Sequence, residues 1–439
     1  MTQAFSPVQQ AVQDLYDSNP EHEWQRMDRH PMEFAVTLRA LADHLSPPPA
    51  RILDCGGGPG RYAIKLARRG YQVTLFDLSP ANLGLASAKA EEAGVQLAGI
   101  ERGTATDLSR FADGSFDAVL LMGPLYHLLD QAERQQAVAE AYRVLRTGGL
   151  LVATFITRYA AHRWAAAFGP SLISEHRQRL DRVLATGQQP PHAAGDLTFV
   201  SYFAHPREPA PLFHQAGFQV ETTLAVEGIT SRIEDGINEL SDEAWERWVD
   251  FNYHVASDPS LHSGADHLLV AGRKPRWRAV LRRFAHRLNQ AGISYKIVGG
   301  TSLALHGVPV GVRDIDVETS AAGAYRVEGL WADYVVQPVQ LLESATYRSH
   351  LGRLSIDGVV VEVMGDIQRP DGDSWTSTAA LTKTMVSLDG EPVPVPWLEE
   401  EILAYVRRGR LARAGQGLAQ CDQERMLALL RGQVPVGVL

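Results

Sequence analysis

Only two cysteines, Cys55 and Cys421, occur in the 439 residues, and they lie far apart in the chain. A disulfide framework is thereby excluded, and Cys55, beside a glycine run, reads as a small packing residue rather than a nucleophile. No His/Cys group has the spacing of a zinc site. No apolar run approaches the roughly 20 residues a membrane-spanning helix needs. The opening residues, Met1-Thr-Gln-Ala-Phe-Ser-Pro-Val8, lack the basic-then-apolar order of a secretory signal, so the expectation is a cytoplasmic protein with no membrane partner. Positive charge is short too. The formal net charge is −9, which argues against nucleic acid as a partner, because phosphate binding rests on clustered Lys and Arg. Arg276, Arg278, Arg282, Arg283 and Arg287 do gather, but at the start of one helix, where solvated surface is the simpler reading. What is present, 45% hydrophobic and 21% charged residues, is the composition of a soluble globular protein long enough for two or three domains.

The most telling stretch is Arg51-Ile-Leu-Asp-Cys-Gly-Gly-Gly-Pro-Gly60. An apolar strand ends in Asp54, and glycines at 56, 57, 58 and 60 form a turn in which the backbone can approach a ligand that a Cβ would repel. A second strand, Tyr71 to Asp77, also ends in an acid. Gly103-Thr-Ala-Thr leads to Asp107, and Phe116 to Gly123 runs into Pro124-Leu-Tyr-His127. A helix then reaches Arg143 and a fifth strand toward Phe155. Alternating strands and helices of this kind make a doubly wound parallel sheet, an α/β fold.

This order resembles the class I S-adenosylmethionine-dependent methyltransferases over roughly the first three-fifths of the chain. The resemblance implies a Rossmann-like sheet with the methionine part of S-adenosylmethionine along Gly56, Gly58 and Gly60. It implies Asp54 near the cofactor's amino group, Asp77 on the ribose hydroxyls with Leu78 beside it, Asp107 near the adenine amine, and Gly123 at the edge of the same crevice. The additional Gly57 and Pro59 depart from the usual turn. A nicotinamide-binding fingerprint would read Gly-x-Gly-x-x-Gly, which Gly56-x-Gly58-x-Gly60 does not. Methyl transfer needs alignment and exclusion of water, and a base only for a protonated acceptor. His127 is the candidate base and Tyr126 either orients the acceptor or packs on the cofactor, with His162, His176 and His205 weaker candidates; a helix-start histidine bonded to backbone remains the alternative for His127. Residues 1–275 form this first domain. Within it, 1–46 is a helical cap in which Tyr16, Trp24, Arg26 and His30 either line the cofactor site or anchor the helices. Residues 156–211, where periodicity weakens, are a substrate-side insertion.

Residues 276–439 read as a second, smaller α+β domain. A helix from about Trp277 to Ala291 precedes a strand ending in Gly299-Gly300-Thr301-Ser302, and Val312-Arg-Asp-Ile-Asp-Val-Glu318 follows. Asp314 and Asp316 alternate on a strand and share one face. Glu362, on the strand Val359–Met364, could supply a third acid, and three convergent carboxylates suit Mg²⁺. The glycine pair, acid pair and third acid resemble the nucleotidyltransferase superfamily, in particular its small-molecule-modifying and minimal members. That resemblance implies a nucleoside triphosphate on Gly299, Gly300 and Thr301, with Mg²⁺ on Asp314, Asp316 and Glu362 as the catalytic acids. The residues just before the acid pair, Val310-Gly-Val312, and the last helix, where Arg407 or Arg408 stands for an expected Lys, depart from the pattern. The expectation is a bifunctional enzyme acting on small molecules. Two alternatives stay open: a methyltransferase with a silent nucleotide-binding or scaffold domain, and an RNA-modifying methyltransferase.

Overall fold

The computed structural model describes residues 6–191, 199–372, 374–380 and 382–432. It divides into two compact units, Met1–Lys274 and Pro275–Leu439, whereas the sequence suggested a boundary one residue later. Among the described residues no helix is long and apolar enough to cross a membrane.

The first unit opens with four helices, α1 (Pro7–Ser18), α2 (Pro20–Trp24), α3 (Arg26–Arg29) and α4 (Pro31–His44). Ser6 and Gln9 close a reciprocal cap at the start of α1, and Pro7, Pro20 and Pro31 each stand in a first turn, where a missing N–H costs nothing. The sheet follows: β1 (Arg51–Cys55), β2 (Gln72–Asp77), β3 (Gly99–Arg102), β4 (Phe116–Leu121) and β5 (Leu145–Thr157). These strands are parallel in the order β3-β2-β1-β4-β5. A short ribbon, β6 (Gln188–Gln189) with β7 (Ser201–Ala204), joins the far end of β5. Two last strands, β8 (Gln219–Ala225) and β9 (His267–Arg273), close the sheet, β9 lying antiparallel between β5 and β8.

Alternation along the strands fills both faces. Ile52, Val73, Leu75, Ala118, Leu120 and Val152 join one core with α4 and with α5 (Arg61–Arg68) and α6 (Pro80–Glu92). Leu53, Phe76, Val119, Leu121 and Leu151 join the other. There they meet α7 (Pro124–His127), α8 (Gln131–Val144) and Phe213. Burial on both faces is what a parallel sheet requires. Because β2 lies on one side of β1 and β4 on the other, the loops after β1 and β4 diverge and leave a crevice at the carboxyl edge.

The insertion holds more structure than its weak periodicity suggested. Helices Ala160–Phe168, Leu172–Glu175 and Arg177–Thr186 precede the ribbon. They are short, and Trp164, Phe168 and Ile173 are exposed, so no clean apolar stripe marks them.

The second unit is built on β10 (Tyr295–Val298), β11 (Asp314–Thr319), β12 (Val335–Glu343), β13 (Arg348–Ile356) and β14 (Val359–Asp371), in the order β10-β11-β14-β13-β12. Among the described residues, β11 and β14 are its one parallel pair. The helix Arg276–Gln290 lays Val280, Leu281, Phe284 and Leu288 on the sheet. Its arginines work at the surface: Arg278 pairs with Asp389, Arg283 with Asp357, and Arg287 lies over the Trp331 ring.

Candidate functional site

At the crevice of the first unit, the Gly58 N–H donates to Asp77 Oδ2 at 2.8 Å, and the Ser79 N–H donates to Asp77 Oδ1 at 2.8 Å. This holds the glycine turn against the end of β2. Gly56 and Gly58 take φ of +74° and +55°, a region that a Cβ disfavours. A Cβ on Gly56 would also collide with the Pro124 ring. Asp77 is 8% exposed and also takes a hydrogen bond from the Asn82 side chain; two oxygens with four lone pairs leave room for a diol.

Asp54 sits deeper. Burial, then the neighbouring Asp77, pushes its carboxyl up to about 7, opposed by the Ala63 backbone. Neither oxygen has a well-formed hydrogen bond. A buried carboxylate left in this state needs a cation or donor, and the ammonium group of S-adenosylmethionine is such a partner. By this test the crevice residues fit that cofactor.

The crevice is lined by Asp54, Gly56, Gly58, Asp77, Leu78, Gly123, Tyr126 and His127, together with Gly103 to Ala105. Tyr16 and Arg26 line it from the cap, as do Gln9, Gln13 and Glu23. Trp24 and His30 do not; Trp24 instead lies under Arg61 at 4.8 Å. Two of the residues expected at the cofactor lie outside this lining. Asp107 is outside the lining, because its carboxylate accepts from the Ser109 N–H at 3.0 Å and closes a local turn. Gly60, with φ +85°, starts α5 and faces Ala86 rather than the crevice. His162, His176 and His205 are also absent from the lining. Sequence reading missed Ser79 and Asn82, which line the crevice from the loop and helix after β2.

His127 is held from both sides. Its Nδ1–H donates to the Val200 carbonyl at 2.6 Å, which leaves Nε2 to accept the Tyr16 hydroxyl at 2.8 Å. Burial pushes its pKa down to about 4, not into the near-neutral range its type suggests. The imidazole is therefore neutral at pH 7 with a lone pair aimed into the crevice.

Arg26 clasps Glu33 through two 2.9 Å bonds. Glu33 lies 3.8 Å from His267 Nδ1, which also bonds Glu227. Glu33, Glu227 and His267 bring three ligand-type atoms within 4.8 Å of one another, but Arg26 and a protonated His267 already supply the cations. Burial opposes that proton, yet Glu33 and Glu227 raise the His267 pKa from 6.5 to about 9. A raised histidine stabilises the fold fully below its unfolded value and loses that contribution as pH rises through the folded one. Wild type should therefore lose about 2–3 kcal/mol relative to His267→Gln between pH 6.5 and 9. Thermal unfolding of both across that range checks this, and a constant gap between the two curves would refute it.

In the second unit, Asp314, Asp316 and Glu318 share one face of β11, while Ile315 and Val317 are 0% exposed on the other. Asp316 is in register with Glu362 on β14. Burial first, then Asp314 and Glu362, raises the Asp316 pKa to about 7. A Cβ at Gly299 would collide with the Asp316 carboxylate, so glycine is required where the turn meets the acid. The three expected metal acids are not closed around one point: their oxygens do not meet the 4.8 Å mutual spacing found for Glu33, Glu227 and His267. Arg353 Nε bonds Glu362 at 2.6 Å. Asp314 and Asp316 share the face a hard cation would use, and Glu362, in register beside Asp316, is paired with Arg353.

The residues expected at the phosphates have partners of their own. The Thr301 hydroxyl is buried and donates to the Asp314 carbonyl at 2.7 Å, and the Gly299 N–H donates to Glu401 Oε2 at 3.0 Å. Gly300 faces the Arg413 guanidinium. Glu401 was not foreseen. Burial raises its carboxyl to about 8, with Asp316 and Glu318 adding to the effect. Leu398, Ile402 and Tyr405 form the apolar face of its helix, Leu398–Arg407. That spacing puts Glu401 on the buried side, which was the available signal.

Residues 52–149 match the family described as "Methyltransferase domain", and residues 280–429 match "Aminoglycoside-2''-adenylyltransferase". The ubiquinone biosynthesis O-methyltransferase of Xanthomonas axonopodis pv. citri is 33% identical over 186 residues, 42% of this chain and 70% of that protein. The demethylmenaquinone methyltransferase of Thermus thermophilus is 36% identical over 116 residues, 26% of this chain and half of that protein. A candidate nucleotidyltransferase of Thermotoga maritima is 34% identical, with 36% of this chain and 95% of that chain covered, at a TM-score of 0.30. The chain thus belongs to the S-adenosylmethionine-dependent methyltransferases and carries a nucleotidyltransferase-like domain as its second unit.

Proposed function

We propose that the chain is a bifunctional enzyme: its first unit methylates a small-molecule acceptor, and its second transfers a nucleotidyl group to a small molecule with Mg²⁺ and a nucleoside triphosphate. The observation that carries the first half is the crevice itself, with an unsatisfied buried Asp54 and Asp77 fixed on the glycine turn. S-Adenosylmethionine supplies a methyl group already activated on a sulfonium. Asp54 neutralises the amino group, Asp77 grips the ribose, and α1 covers the site from water. His127 holds its proton on Nδ1 and presents Nε2. An acceptor hydroxyl taking the place of the Tyr16 hydroxyl would pass its proton to Nε2 while its oxygen takes the methyl carbon from the sulfonium sulfur, which would leave as a neutral thioether. The ubiquinone-type relatives favour oxygen as the acceptor atom.

In the second half, Asp314 and Asp316 would hold Mg²⁺, which stabilises charge on phosphate oxygens. Arg408 and Arg410, near enough to lower the Asp316 pKa, add positive charge. The family description favours an adenylyl group and a hydroxylated amino-sugar acceptor. The Arg353–Glu362 pair favours the silent-domain reading, so turnover is what must be measured. The test incubates the full chain with labelled S-adenosylmethionine or labelled ATP, Mg²⁺ and a panel of aminoglycosides and phenolic acceptors. Label should pass to an acceptor in both assays, with pyrophosphate released in the second. Label transfer in the first alone makes the second unit a binding module. Transfer in neither ends the proposal.

A further inference from the structure

Arg134 stands in the first turn of α8, where the helix dipole disfavours a cation, and it is only 7% exposed. Burial lowers its pKa, the sign of a guanidinium kept out of water at a cost. Its Nη1 donates to the Leu128 carbonyl at 2.7 Å and to the Leu129 carbonyl at 3.0 Å. These are the two residues that follow His127 in the chain. The flat face of the same guanidinium lies 3.6 Å from the centre of the Tyr202 ring. Tyr202 is on β7, two residues after Val200, whose carbonyl takes the His127 Nδ1–H. One buried side chain thus grips both the chain just past the imidazole and the strand that brings the imidazole its partner.

That strand is fixed from behind as well. The Tyr202 hydroxyl donates to Glu208 Oε2 at 2.6 Å, Arg158 Nη2 donates to Glu208 Oε1 at 2.9 Å, and Arg158 Nε donates to the Phe203 carbonyl at 2.7 Å. Gln188 on β6 gives the Leu129 carbonyl a second donor at 3.1 Å. A carbonyl can only accept, so the Val200 contact requires the proton on Nδ1 and leaves Nε2 as the acceptor. Neither Arg134 nor Tyr202 lines the crevice. Any part they play in the chemistry passes through His127.

We propose that Arg134 is a positioning residue for the methyl transfer: it locks α7 to β7, so that the Val200 carbonyl fixes the His127 tautomer and Nε2 faces the acceptor. The assignment rests on the reading of His127 as the base and adds the residue that aims it.

The test reads the His127 ring nitrogens by NMR in the full chain, labelled at histidine nitrogen and saturated with S-adenosylhomocysteine, with His127→Gln identifying the signals. Wild type should show one tautomer, protonated on Nδ1. Arg134→Lys keeps the charge but has no flat face, and Tyr202→Leu removes the ring; each should show both tautomers. Tyr202→Phe, which keeps the ring, should match wild type. Label transfer from S-adenosylmethionine to the phenolic panel should fall about 10-fold or more in Arg134→Lys and Tyr202→Leu, with KM for S-adenosylmethionine unchanged, because a displaced catalytic group loses most of its effect. S-Adenosylhomocysteine should bind wild type and these variants alike, which shows that they are folded; should Arg134→Lys fail to bind it, the two Tyr202 variants decide. Both tautomers in wild type, a single Nδ1–H tautomer in Arg134→Lys and Tyr202→Leu, or equal mixing in Tyr202→Phe and Tyr202→Leu would overturn the assignment. Undiminished transfer by His127→Gln would instead bring down the reading of His127 as the base and leave the tautomer result standing.

Discussion

Asp77→Ala should weaken S-adenosylhomocysteine binding by about 100-fold or more, since a buried carboxylate bonded to a ligand diol is worth roughly 3 kcal/mol. Two losses combine. The ribose loses its acceptor, and the Gly58 N–H, 2.8 Å from Asp77 in wild type, loses the contact that fixes the glycine turn. The fold should survive, because burial already pushes the Asp77 pKa upward against the help of Ser79 and Gly58. Removing a buried acid in that state costs the apo protein little. Asp77→Asn, which keeps one acceptor, should fall between the two. Isothermal titration of the three proteins decides the matter, and equal affinity for wild type and Asp77→Ala would remove the ribose assignment.

Asp316→Asn should lower nucleotidyl transfer by about 1,000-fold, the scale expected when a metal-holding carboxylate is lost from an in-line displacement. It should also abolish any rise in melting temperature that Mg²⁺ gives wild type. The variant should fold at least as well as wild type, because burial and the charges of Asp314 and Glu362 oppose ionisation of Asp316. Pyrophosphate release and thermal unfolding with and without Mg²⁺ are the measurements. Undiminished turnover in Asp316→Asn would place the metal elsewhere.

The parts of both sites that were legible in the sequence are those fixed within a few residues. Asp54 and Asp77 end strands, and a strand end in a parallel sheet opens on the crevice wherever the helices happen to pack. Asp314 and Asp316 follow from period-two alternation alone. Residues whose direction depends on competing local bonds were not legible. Asp107 has Ser109 two residues on, and its carboxylate closes a local turn there. The Thr301 hydroxyl likewise turned to the Asp314 carbonyl. Tertiary docking hid the rest. Tyr16 and Trp24 are both aromatic cap residues, yet only Tyr16 reaches His127, while Trp24 packs on Arg61 and Lys89. The strand that begins at Val359 could be read from its apolar run. The three helices of the insertion could not, because their exposed apolar side chains blur the period on which such readings depend.

The alternation on β11 has a consequence for which changes the gene can tolerate. Deleting one codon between Arg313 and Val317 would swap the two faces of the strand. Ile315 and Val317, now wholly covered, would go to the solvent side, and the acids would be driven into the hydrocarbon layer under the sheet. The loop between the buried Val308 and Val312 has no alternation to keep, so natural length variation around this site should collect between those two residues and stop short of the first aspartate.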